Sequence, residues 1–425
     1  MKCLSGKMVL LLLSAFLLAA LSACHRGAVL PPGLVSPPGG SPPVRVRLMN
    51  GPGPVEIGAE SGVLLFSDLA SGEKIAAIEP GGRWSVVLFG PDGQLRVASP
   101  DGRVSRPHPA GIRVHMPGGN GEFRLTGRSY RGELLLVNSG GNRIMAVNRL
   151  PLEEYLRSVV PSEIGSPGSA AYQALKAQAV SARSYAMSLM SENRRFSYDL
   201  TADTGDQMYR GTSTEHQLTD SAVFETAGEC LTSGGRVLTS FYHSTCGGRT
   251  ADPSEVWGKQ FAERNRWLRS VGDGSYDSGS RWAEWEVSWS RQQLLLLLKK
   301  YLPELMKMSA GEVGEPTDIE IMRKGPSGRN VLLKVTTDKR VLQVEGDNIR
   351  RALRKPDGSI LPSTMFDLSL QRGGSSGLSI VARGRGFGHG LGMCQTGAIA
   401  RASAGQDYRK ILDRYFPKAG ISRLY

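Results

Sequence analysis

Residues 170 to 190, AAYQALKAQAVSARSYAMSLM, run without a glycine or proline. Tyr172, Leu175, Ala179, Ala182, Ala186 and Leu189 recur within it at three- and four-residue steps, which predicts one long helix with a single apolar stripe. The small alanines in that stripe let another backbone come close. A shorter helical pattern precedes it. In LPLEEYLRSVV, residues 150 to 160, Leu152, Tyr155, Leu156 and Val159 share a face, and Pro161 is expected to end the helix. Glu163 then falls in an irregular connection, VVPSEIG, between the two helices.

The chain ahead of this pair reads as strand. VRVRL alternates from Val44, GVLLF and WSVVLFG follow between turns, and ELLLVNSGGNRIMAVN reads as a hairpin turning at Ser139-Gly140-Gly141-Asn142. The expected fold class is α+β: a helix pair packed on antiparallel β structure, with an N-terminal β-rich domain over 44–128 and a larger domain over 129–425. WAEWEVSWS, RQQLLLLLKKYL and VLLKVTTDKRVLQVEG predict a smaller α/β insertion at 283–375 within that domain. The chain has 425 residues, 40% of them hydrophobic, enough for more than one core.

The first residues serve another purpose. Lys2 and Lys7 precede the apolar run MVLLLLSAFLLAALSA, the pattern of an export signal over 1–23. Leu21-Ser22-Ala23-Cys24 resembles a bacterial lipoprotein signal, so Cys24 is expected to be lipidated, anchoring the chain to a membrane outside the cytoplasm. Residues 24–43 are rich in proline and glycine and read as a tether. Removal of 1–23 takes away two lysines and no acid, so the net charge falls from +13 to +11. A basic exported protein suits an acidic partner such as cell wall or anionic lipid headgroups. Nucleic acid is not expected, because export argues against it and no dense Lys/Arg run with interleaved aromatics occurs.

Four blocks carry a resemblance. LPLEEYLRSVVPSEIGSPGSAAYQALKAQAVSARSYA, DQMYRG at 206–211, SFYHSTCGGRTADPSEVWG at 240–258 and GRGFGHGLGMCQTGAIARA at 384–402 together resemble, in order and spacing, the stage II sporulation protein D and amidase-enhancer family of bacterial cell-wall proteins. The likeness runs from residue 129 to the C-terminus. It implies a lytic transglycosylase acting on peptidoglycan glycan strands, with Glu163 as the catalytic residue, or a non-catalytic wall-binding modifier that enhances a cell-wall amidase.

A lone glutamate suits the first activity. Glycoside hydrolases use two carboxylates, one as acid and one as nucleophile or base. In a lytic transglycosylase the 6-hydroxyl of muramic acid attacks its own anomeric carbon, so one residue protonates the leaving oxygen and then takes up the hydroxyl proton. Gln207, Tyr209, Tyr242, Ser244 and His389, all within the blocks, are the expected substrate contacts. His389 also admits a packed structural role.

Gly384, Gly386, Gly388, Gly390 and Gly392 alternate with larger residues, so an extended chain there would offer one bare face to a sugar or to another backbone. Cys246 and Cys394 lie in blocks where many relatives have serine, and in an oxidising compartment the pair is expected to form a disulfide. A zinc site of His243, Cys246, His389 and Cys394 is the rival. The zinc-binding segment of some sporulation relatives aligns with DLTADTGDQMY, which has no cysteine or histidine, so no metal or other cofactor is expected. GGSSG at 373–377 fits G-x-S-x-G by letter alone. Trp282, Trp285 and Trp289 read as core or as wall-facing surface.

Overall fold

A computed structural model describes residues 40–119, 121–373 and 377–425. The signal segment 1–23, Cys24 and the tether through residue 39 lie outside the described residues. Among the described residues no helix is long and apolar enough to cross a membrane. The chain divides into two compact units, one taking in residues up to Tyr155 together with Met190–Ser213, the other Leu156–Leu189 together with Thr214–Tyr425.

The first unit is built on two sheets. Seven strands run in the order Leu200–Thr201, Pro43–Gly51, Ile144–Pro151, Glu133–Asn138, Ile112–His115, Leu64–Asp68 and Lys74–Ile78. Five more run in the order Gln94–Ala98, Arg83–Phe89, Val55–Ser61, Glu122–Leu125 and Arg128–Tyr130. Val44 and Val46 are buried while Arg45 and Arg47, which alternate with them, are only half-buried, the pattern of a strand with one face in the core. The hairpin pairs as its sequence predicts, Asn138 opposite Ile144. Its second strand also pairs with Pro43–Gly51, so one sheet spans residue 128 and the units do not part there. Pairing across that sheet overrides the break in pattern on which the 128/129 boundary rested.

The helix pair forms as two continuous helices, the larger part of each in the second unit. Helix α1 covers Leu152–Ile164 and α2 covers Tyr172–Glu192. Pro161 lies inside α1 rather than ending it. Its fixed φ suits a helix, only its own missing N–H is forgone, and the Gly165 N–H closes the next turn on the Pro161 carbonyl at 3.0 Å. Glu163 therefore stands on the last turn of α1, not in an irregular connection. Helix α2 buries far more than one stripe. Ala174, Ala177 and Val180 pack with Leu231, Met393, Ala398, Ile411 and Phe416 in the core of this unit.

A separate core holds residues 285–382 together. In Trp285–Ser290 the residues Trp285, Val287 and Trp289 are buried and their neighbours exposed, so two of the three tryptophans are core. Helix Arg291–Met306 starts at a capping box in which Ser290 and Gln293 satisfy each other's backbone N–H, and it lays Leu294, Leu298 and Leu302 onto the same core. The strands Phe366–Gly373 and Gly377–Gly384 pair with Gly373 opposite Gly377. Gly373 and Gly377 of the G-x-S-x-G letters thus belong to these two strands, and 374–376 lie outside the described residues.

Candidate functional site

Glu163 is half-buried at the end of α1. One turn earlier Val159 and Val160 are fully buried, and the following residue, Ile164, packs on the core that holds Cys246, Met393 and Cys394. The polar side of the helix is also tied down. Ser158 Oγ lies 3.0 Å from Thr214 Oγ1, and Arg157 pairs with Glu215 at 2.7 Å and Asp220 at 3.0 Å. The carboxylate is therefore carried by a braced helical turn.

The two later blocks interlock through their backbones. Tyr242–His243 pairs in parallel with Met393–Cys394, and Thr245 pairs with Phe387 in both directions, at 3.0 and 2.8 Å. The glycine-rich block is not extended, for Gly386, Gly388, Gly390 and Gly392 all have positive φ. The bare face meets protein. A Cβ on Gly392 would lie 2.0 Å from the Phe241 carbonyl, and one on Gly388 would lie 2.9 Å from His243 Cβ. Gly386 and Gly392 are met by backbone, Gly388 by the His243 Cβ and Gly390 by the Arg329 guanidinium.

Tyr242, Ser244 and His389 are brought together by this interlock, each half-buried. His389 Nδ1 accepts the Leu391 N–H at 3.0 Å, and its ring stands among Phe241, His243 and Trp257. Desolvation, helped by Arg350 and Arg329 and only partly opposed by Asp347 and the Tyr242 backbone, lowers its pKa to about 4. His243 is buried, and desolvation with the nearby His389 and Arg329 takes it well below the usual histidine value. Both imidazoles are neutral near pH 7. His389 is thus a neutral, hydrogen-bonded ring rather than a cation.

Trp257 was not singled out from the sequence. It stands at the end of the short helix Pro253–Trp257, set by a capping box between Asp252 and Glu255 with proline at the first turn. Its ring is 42% exposed and packs edge-on to Phe261 at 4.7 Å and beside His389 at 5.4 Å. Phe387 is also exposed and stacks on Trp282 at 4.5 Å. Two partly exposed aromatic faces thus flank the interlocked blocks, the form of surface on which sugar rings stack. The signal that could have found Trp257 was the D-P-S-E cap immediately before it.

Gln207 and Tyr209 belong to the other unit. They are 0% and 2% exposed there, where Tyr155 Oη donates to Gln207 Oε1 at 3.1 Å and Tyr209 Oη donates to Asn148 Oδ1 at 2.8 Å. Tyr209 also packs against Tyr130 and Tyr155. Their expected role as substrate contacts is corrected: both side chains are used in the core, because a buried phenol and amide must satisfy their polar atoms internally.

Cys246 and Cys394 are buried free thiols rather than the expected disulfide. Each sulfur has its own hydrogen bonds. Cys394 Sγ caps the helix Gln395–Ser403, accepting from Gly397 N at 3.4 Å, and also accepts from Cys246 N at 3.3 Å. Cys246 Sγ donates to Asp277 Oδ2 at 3.1 Å. The hydrogen bond with Cys394, then burial and the nearby aspartates, hold the Cys246 thiol well above its ordinary range. His243 lies with the two cysteines but His389 does not, so the rival four-residue zinc set is not assembled.

These features define a class: an α+β chain in which two distant glycine-rich blocks interlock on the core that also carries a glutamate-bearing helix. Residues 140–233 match the family described as Stage II sporulation protein, and residues 260–392 match a domain of unknown function, DUF8618. An uncharacterized protein of Brachyspira hyodysenteriae is 28% identical over 69% of this chain and 72% of its own length. The amidase enhancer of Bacillus subtilis is 27% identical over 62% of this chain, which spans only 39% of that protein. Stage II sporulation protein D of Bacillus amyloliquefaciens is 28% identical over 65% of this chain and 76% of its own. Over these stretches the chain is similar to the stage II sporulation protein D and amidase-enhancer family.

Proposed function

We propose that this chain is an exported, Cys24-anchored cell-wall protein that cleaves peptidoglycan glycan strands as a lytic transglycosylase, with Glu163 as its single acid and base. The observation that carries the reading is the setting of Glu163: a half-buried carboxylate on a braced helical turn, one turn after the buried Val159 and Val160. The first step needs Glu163 as the protonated acid. Glu163 protonates the glycosidic oxygen as the bond to the anomeric carbon breaks. The muramic 6-hydroxyl then attacks that carbon, its proton passes to Glu163, and a ring-closed anhydro sugar results without water. Trp257 and the Phe387–Trp282 pair supply stacking faces for the strand, and Tyr242 and Ser244 supply hydroxyls.

A second reading rests on a relative. One relative is called an amidase enhancer, and by analogy this chain would bind the wall and stimulate an amidase without cutting glycan. Purified peptidoglycan and peptide-stripped strands, digested with the full chain and with Glu163→Gln and read by mass spectrometry, separate the two. The enzyme reading expects anhydromuramic ends from the wild type and none from Glu163→Gln. Strand binding or amidase stimulation by both proteins, with no glycan released, would overturn it.

A further inference from the structure

We infer that Cys246, Cys394, Asp277 and Asp273 form a buried structural site for a divalent metal of the zinc type. The four side chains come from three separate stretches of the second unit, and one donor atom from each lies within 4.8 Å of all the others. All four are buried. A tetrahedral zinc shell with bonds of 2.3 Å to sulfur has ligand–ligand edges of about 3.8 Å. Cys246 Sγ already stands 3.1 Å from Asp277 Oδ2 and 3.5 Å from Asp273 Oδ2, so closing the shell needs movements well under the length of a bond.

Charge points the same way. Asp273 is compensated by Arg401 at 2.8 Å and is oriented by the Tyr415 hydroxyl. Asp277 has no such partner: among the described residues its carboxylate receives only the Gly247 and Gly248 N–H groups, at 2.6 and 3.1 Å, and the Cys246 thiol. A buried carboxylate beside two sulfurs with no cation of its own is costly unless a positive ion joins it. His243 adds an independent sign. Its ring offers a nitrogen within 4.8 Å of both sulfurs, its Nδ1 is 3.0 Å from the Leu391 carbonyl, and its buried Nε2 has no hydrogen-bond partner among the described residues.

The surrounding groups hold the donors as outer-shell partners hold metal ligands. Two backbone N–H groups point at Cys394 Sγ, two at Asp277, and Arg401 and Tyr415 fix Asp273. Gly397 admits the aspartate, since a Cβ there would lie 2.1 Å from Asp273 Oδ2. When the ion binds, both cysteines bind as thiolates and any thiol protons leave to solvent, with no change of oxidation state. The ion ties the His-Ser-Thr-Cys loop, residues 273–277 and the start of the helix Gln395–Ser403 into one knot.

The test uses the full chain, purified with zinc present and without reductant, in native mass spectrometry and elemental analysis. One zinc per chain is expected, with Cys246 and Cys394 resistant to alkylation until a chelator is added. Asp277→Asn, nearly isosteric, should weaken zinc binding by at least about ten-fold. Cobalt(II) bound to the wild-type chain should give a thiolate-to-metal charge-transfer band, a readout that does not depend on any variant folding. A Cys246–Cys394 linkage in a non-reducing peptide map, or free thiols with neither zinc nor the cobalt band, would overturn the site.

Discussion

The D-Q-M-Y-R-G block in the first unit and the interlocked blocks around His243 and His389 in the second are equally legible as motifs, yet the fold uses them in opposite ways. Gln207 and Tyr209 are sealed into a core and hydrogen-bonded to Tyr155 and Asn148. Tyr242, Ser244, His389 and Trp257 remain partly open, on a scaffold made rigid by backbone pairing and close glycine packing. A motif marks where a fold has little freedom. Whether that reflects packing or contact with a ligand depends on burial, which spacing does not report.

Breaking the packed half of this comparison should have the largest effect. Tyr209→Ala empties a fully buried ring position and is expected to cost about 3–5 kcal/mol of stability in denaturant unfolding, while Tyr209→Phe, which strands the Asn148 acceptor, should cost about 1–3 kcal/mol. An unchanged stability with lost glycan binding would instead make Tyr209 a contact residue.

The histidines sharpen the other half. His389 titrates near 4 in the folded chain against about 6.5 unfolded, so the unfolded state takes up the proton first as pH falls. Its contribution is complete above pH 6.5, declines between 6.5 and 4, and totals up to about 3 kcal/mol, with His243 acting in the same direction. Urea midpoints measured across that window should fall with acid, and His389→Gln should flatten the slope. A smaller effect is expected at the open edge. Trp257→Ala should change stability by less than about 1 kcal/mol but lower affinity for glycan strands up to about ten-fold, the weight of one stacking contact.

Much of the fold was readable because local pattern and tertiary context agree. The hairpin at 133–148, the α2 run and the insertion helix with its leucines at four-residue steps all carry their own periodicity. Pro161 misled because a proline near a helix end forgoes only one bond, and the α1 packing carries the helix past it. The boundary at 128 misled because sheet pairing between Pro43–Gly51 and Ile144–Pro151 is non-local. In the site, the glycine alternation correctly announced a close approach but not of what. The Asp273–Asp277 contribution to the cysteine pair was invisible, since nothing in local sequence marks residues that meet only through the fold.

Digestion of peptidoglycan in heavy-oxygen water tests the central claim most directly. If Glu163 works alone and the sugar's own hydroxyl is the nucleophile, the full chain releases anhydro-ended fragments that carry no label at the new terminus. Labelled reducing ends would mean that water is the nucleophile and a second catalytic group is required. No fragments at all, from protein that still binds the strands, would remove the chain from the enzymes.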